Sequence, residues 1–130
     1  MAIGIVVRGG RVLICRRRKN AADPFGGLWE FPGGKFRVGE TPRRCVVREV
    51  REEVALTMRV IRPLAVIEHD YPTVRVRLHP FICQADQSKA RPMQVSRIRW
   101  VRPARLVDYE FPAANRQLIR RLARGMIVID

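Results

Sequence analysis

A chain of 130 residues, 47% of them hydrophobic, suits a single domain over residues 1–130 with one packed core. No run approaches the roughly 18 apolar residues of a membrane span. The apolar stretch at residues 3–7 is short and has no basic flank, which argues against a signal peptide and for a cytoplasmic protein. The net charge is +14, and the only lysines among the 26 basic residues are Lys19, Lys35 and Lys89. Such a field attracts anions, nucleotides and nucleic acid alike; an arginine-rich codon usage with a solvated surface is the favoured account of it.

Residues 2–7 and 11–16 read as two strands around a Gly9-Gly10 turn. Residues 17–28, rich in Gly, Pro, Asn and Asp, read as a loop. Thr41-Pro42 reads as a helix start, with Thr41 as N-cap and Pro42 at the first helical position, the helix running to about Val54. Residues 57–68 and 73–84 look like strands, the second alternating Val74, Val76 and Leu78 against Arg75, Arg77 and His79. A polar loop follows at 86–94, a strand at 96–101, and a second helix at 112–124 with Leu118, Ile119 and Leu122 on its apolar side. Ile127, Val128 and Ile129 suit an edge strand, a core strand or a partner contact. Mixed strands with two helices predict an α+β protein, built as an α/β/α sandwich. Cys15, Cys45 and Cys83 lie in apolar stretches without metal-ligand spacing and read as buried, reduced thiols.

The chemistry concentrates in the first helix. Val46, Val47, Val50 and Val54 fall in one sector about 100° wide, a core stripe. Glu49, Glu52 and Glu53 occupy the adjoining sector, where like charges repel by roughly 0.2–0.5 kcal/mol per pair. That cluster calls for compensation by arginines or by a divalent cation. Just upstream, Phe31-Pro32-Gly33-Gly34-Lys35 sets two glycines where backbone approaches something closely or takes positive φ. Each feature alone suits an ordinary surface; together they suggest a metal-diphosphate site, and hard oxygen ligands suit Mg²⁺.

From Gly34 to Leu56 the chain reads GKFRVGETPRRCVVREVREEVAL. This resembles the Nudix box, matching at Gly34, Glu40, Arg48, Glu49, Val50, Glu52, Glu53 and Leu56 and departing at Ala55, where the family usually has glycine. The resemblance implies the Nudix fold with a mixed curved sheet. It implies that Glu49, Glu52 and Glu53 ligate Mg²⁺, or Mn²⁺ in its place, with a backbone carbonyl of Gly33 or Gly34. It also implies that Arg48 and Glu40 orient the carboxylates, and that Glu52 or Glu53 assists the attacking water.

Beyond the box, GLWEFPGGK at residues 27–35 and FPAAN at residues 111–115 resemble the MutT-like branch. That resemblance implies substrate contacts for Glu30, Phe31, Pro32 and Gly33, a phosphate or sugar contact for Arg16 or Arg17, and a base-reading role for Asn115. Phe31 and Phe111 read either as base-stacking rings or as core, and Asn115 suits an N-cap as well as a base reader. The branch usually has a glutamate six residues before the late-strand tryptophan; counting back from Trp100 gives Gln94. Three readings follow. One is a pyrophosphohydrolase of 8-oxo-dGTP-like nucleotides, acting as monomer or homodimer. A second is a Nudix hydrolase of pyrimidine triphosphates, nucleotide sugars or RNA 5′ ends, held on a basic face including Arg75, Arg77, Arg97 and Arg99. A third is a non-catalytic nucleotide-binding module.

Overall fold

The computed structural model describes residues 1–129. Among them run, in chain order, β1 (Ala2–Arg8), β2 (Arg11–Arg16), β3 (Trp29–Glu30), β4 (Gly33–Gly34), α1 (Pro42–Val54), β5 (Met58–Pro63), β6 (Ile67–Asp70), β7 (Arg75–Ala85), β8 (Arg97–Val101) and α2 (Arg116–Ala123). The β1–β2 hairpin turns on Gly9 (φ 57°) and Gly10 (φ 74°), two successive positive-φ residues that match the strand twist. The strands join into a mixed sheet in which β1 runs parallel to β7, from Ala2 opposite His79 to Val7 opposite Gln84. The remaining pairings are antiparallel: β8 and β3 on β2, β4 on β1, β5 and β6 on β7.

The period-2 geometry of β1 and β2 splits the core into two layers. Ile3, Ile5, Val7, Val12 and Ile14 face one side, where Leu118, Ile119 and Leu122 of α2 cover them with Leu106. Ala2, Val6, Leu13 and Cys15 face the other, under Cys45, Val46, Val50 and Val54 of α1. A helix on each face of the sheet is the α/β/α arrangement. All three cysteines are buried, and burial pushes the Cys83 thiol up to about 12. No helix among the described residues is long and apolar enough to cross a membrane.

Three expectations from the sequence change, and one element is added. The strand expected over 57–68 is two strands, both antiparallel to β7, with the break falling after Leu64, whose N–H bonds the carbonyl of Pro80, a residue with no N–H to return. The second helix starts at Arg116 rather than 112, preceded by a 3₁₀ turn at Ala113–Asn115. Another 3₁₀ segment, Pro103–Asp108, follows β8 and inserts Leu106 into the core. Ile127, Val128 and Ile129 form no strand; Ile127 alone is buried and Val128 is 65% exposed.

Helix α1 ends on Ala55 in the left-handed region (φ 57°, ψ 36°), its N–H bonded to the Arg51 carbonyl at 3.0 Å. A Cβ there costs about 1 kcal/mol relative to glycine. Ala55→Gly is therefore expected to stabilise the protein by about that amount. A denaturant midpoint that fails to rise would refute the strain.

Candidate active site

Thr41 Oγ1 accepts the Arg44 N–H at 3.2 Å and starts α1 where its valine stripe meets β1. Gly4 on β1 lets the helix close in, since a Cβ at that position would lie 3.2 Å from Val46. This packing turns Arg48, Glu49, Glu52 and Glu53 toward the short strand β4, where Gly33 and Gly34 pair with Ile3 and Ala2.

Arg48 organises one half of the cluster. Its guanidinium grips Glu40 with two bonds, Nε to Oε2 at 2.7 Å and Nη2 to Oε1 at 2.8 Å. The same group reaches Glu49 at 2.7 Å, Glu52 at 3.1 Å and the Lys35 carbonyl at 3.0 Å. Arg37 adds a second contact to Glu52 at 3.1 Å, and its backbone N–H a further bond to Glu40 at 2.9 Å. The Arg48 hydrogen bonds hold the Glu40 carboxyl down at about 2.

Glu53 points elsewhere. Its Oε2 accepts the Gly33 N–H at 3.3 Å, and the side chain lines a cavity of about 280 Å³ with Arg17, Arg18, Asn20, Asp23, Glu30, Gln94 and Val95. Burial, then the charge of nearby Glu30, pushes the Glu53 carboxyl up to about 8. Burial likewise raises Glu30, against the pull of Arg17, whose Nη1 lies 3.3 Å from Glu30 Oε2. Arg17 also pairs with Asp23. The backbone carbonyl of Glu53 accepts N–H groups of Met93 at 2.9 Å and Gln94 at 3.3 Å, which ties the late polar loop to the end of α1 and sets Gln94 at the cavity.

The donors suit a hard divalent cation. The carboxylate of Glu49 lies against Gly34 so closely that a Cβ there would meet it at 2.5–2.7 Å; only glycine leaves this cradle open. A Cβ on Gly33 would stand 2.1 Å from the Ala2 carbonyl, so β4 can pair with β1 only as glycine. No three His, Cys, Asp or Glu side chains among the described residues are spaced as a closed ligand set. Glu49 and Glu52 lean onto Arg48, and Glu53 turns to the cavity.

The other residues singled out from the sequence divide. Arg17 and Glu30 line the cavity; Arg16 instead donates from Nε to the Gly27 carbonyl at 2.9 Å. Phe31 is 2% exposed and its ring packs on Phe111 at 5.3 Å, so it is core and offers no face for stacking a base. Pro32 is buried, its carbonyl accepting the Gly4 N–H at 2.8 Å. Asn115 is 7% exposed and its side chain makes no capping bond to α2. Arg75 and Arg77 pair with Glu68 on β6, while Arg97 and Arg99 lie on β8, which joins β7 only through β2 and β1, so the four do not sit on neighbouring strands. Asp23 and Arg18 reach the cavity without having been singled out from the sequence, where they were part of a generic polar loop.

A NUDIX domain family model matches residues 2–121. The chain is 30% identical over 124 residues to an 8-oxo-dGTP diphosphatase of Escherichia coli K12, covering 95% of each chain. It is 27% identical over 115 residues to a CTP pyrophosphohydrolase of the same organism, covering 88% of this chain and 84% of that one. The crystal structure of a MutT protein from Methanosarcina mazei Go1 superposes with a TM-score of 0.81 at 23% identity, covering 98% and 94%, a likeness of fold.

Proposed function

The chain belongs to the NUDIX family, as a hydrolase of its MutT-like branch, and on that footing we propose that it is a Mg²⁺-dependent pyrophosphohydrolase of 8-oxo-dGTP-like nucleoside triphosphates. The observation that carries this reading is the cavity where Glu53 and Arg17 converge beside the α1 carboxylates. Glu49, Glu52, Glu53 and the carbonyl of Gly33 or Gly34 would hold the ion. When bound, Mg²⁺ or Mn²⁺ neutralises the diphosphate and acidifies the attacking water. The chain's own residues do the rest. Arg48 and Glu40 hold Glu49 and Glu52 in place. Arg17 offers its guanidinium to the phosphates from a half-exposed position. Glu53 or Glu52 takes the proton of the water as the bond to the leaving pyrophosphate breaks. The amide of Asn115, unused by the helix, offers one donor and one acceptor to the edge of an oxidised purine. One catalytic domain working in the cytoplasm, as monomer or homodimer, completes the reading.

Gln94 favours a second reading. The amide lines the cavity where a carboxylate would add a base, and the resemblance to a CTP pyrophosphohydrolase fits a shifted base preference. Gln94→Glu is expected to raise turnover about tenfold if the cavity lacks that base; an unchanged kcat would show that the box glutamates suffice. The deciding assay is pyrophosphate release from 8-oxo-dGTP, dGTP, CTP and triphosphorylated RNA, with and without Mg²⁺. Preference for 8-oxo-dGTP supports the first reading and preference for CTP the second. Silence across the panel overturns both.

A further inference from the structure

Asn115 ends a three-residue 3₁₀ turn that leads directly into α2, its own N–H bonded to the Pro112 carbonyl at 3.0 Å, and the turn takes one further bond from outside. The backbone N–H of the preceding residue, Ala114, donates to the hydroxyl of Tyr71 at 2.9 Å. Tyr71 itself is anchored in the β6–β7 turn, where its N–H reaches the Val74 carbonyl at 2.8 Å. Its ring meets Phe25 edge-on at 5.1 Å and His69 at 4.5 Å. Phe25 belongs to the loop that closes the cavity: its N–H donates to Asp23 Oδ1 at 3.0 Å, and Asp23 pairs with Arg17. One side chain thus touches both the segment that carries Asn115 and the loop that carries Arg17.

We propose that Tyr71 is a positioning residue for base recognition, its hydroxyl setting the depth and angle of Asn115 while its ring ties that setting to the Arg17 loop. This rests on the reading of Asn115 as the base reader. A short 3₁₀ turn has few internal bonds to define it, so an external acceptor on Ala114 adds to what sets where Asn115 points. Removing that acceptor leaves the half-buried Ala114 N–H without a partner and frees the turn to relax, which weakens a directional contact more than a phosphate contact.

The test is kinetics of Tyr71→Phe, Asn115→Ala and the double variant on the same nucleotide panel with Mg²⁺, alongside thermal melts. Tyr71→Phe keeps the ring and the packing. It is expected to raise KM for the preferred nucleotide about tenfold with kcat within about twofold. It should leave the poorest nucleotides untouched and weaken Asn115→Ala no further. If Asn115→Ala loses base preference while Tyr71→Phe keeps the wild-type KM, the positioning role is wrong and the base reader stands. A uniform loss on every nucleotide with a lower melting temperature would make Tyr71 merely structural. If Asn115→Ala itself leaves base preference intact, the base-reader reading fails and this inference falls with it.

Discussion

Glu53→Gln is expected to lower turnover by roughly 10³-fold and, in the same protein without divalent cation, to raise the melting temperature above neutral pH. The two effects have one origin. The Glu53 carboxyl is held near 8 in the fold because burial and the charge of Glu30 disfavour its ionised form. A raised carboxylate favours the fold fully below its unfolded value, near 4.5, and that contribution is lost as pH rises toward 8. Glutamine stays neutral throughout and can keep the Gly33 N–H bond through its amide oxygen. The variant should therefore melt roughly 3–5 °C higher at pH 9 and close to wild type at pH 4. Yet it cannot ionise, as the proposed role of Glu53 in holding the ion or taking the proton demands, so a gain in stability is expected to accompany a loss of function. Equal melting at pH 9, or retained turnover, would refute the role given to this side chain.

Arg48→Ala is expected to cost about 10- to 100-fold in activity and to lower the melting temperature at neutral pH. A single guanidinium here satisfies Glu40, Glu49 and Glu52 and the Lys35 carbonyl. Without it Glu40, from the loop before α1, repels Glu49 and Glu52 of the second half of the helix, and Glu49 loses the contact that keeps it against Gly34. The pH profile separates this from a generic loss. Glu40 is depressed to about 2, so its contribution is present above about 4.5 and lost as pH falls toward 2. The melting difference between wild type and Arg48→Ala should shrink over that interval. Arg48→Lys should rescue little, because an ammonium cannot grip Glu40 with two parallel bonds. Full activity in either variant would remove Arg48 from the site.

What could be read from the chain follows from how local each signal is. The Gly9-Gly10 hairpin and the Thr41-Pro42 cap depend on neighbours within four residues, and both stand in the structure where the pattern put them. Strands β3 and β4 span two residues each and exist only because β2 and β1 lie beside them, so no local pattern announces them. The carboxylate face of α1 was legible from spacing. Its division was not, because Glu53 turns away from Arg48 toward Arg17 and Glu30, which arrive from the loop and β3. Asn115 was ambiguous in the chain, since a cap and a base reader use the same side chain; the missing capping bond resolves the first of these. Phe31 illustrates the converse, a ring whose motif suggested substrate and whose surroundings made it core.

The parallel pairing of β1 with β7 also governs how the chain acquires its shape. Residues 2–7 are buried on both faces, yet one of their edges is completed only by residues 79–84, more than 70 positions later. The hairpin and α1 form from near neighbours, but the centre of the sheet must wait for a distant strand. Closing so long a loop before any reward makes this the slow step of folding. Until it closes, the most apolar strand of the molecule presents an open edge on which another copy could pair, so a chain growing from its N-terminus passes through its most aggregation-prone state just before Ala85 is made.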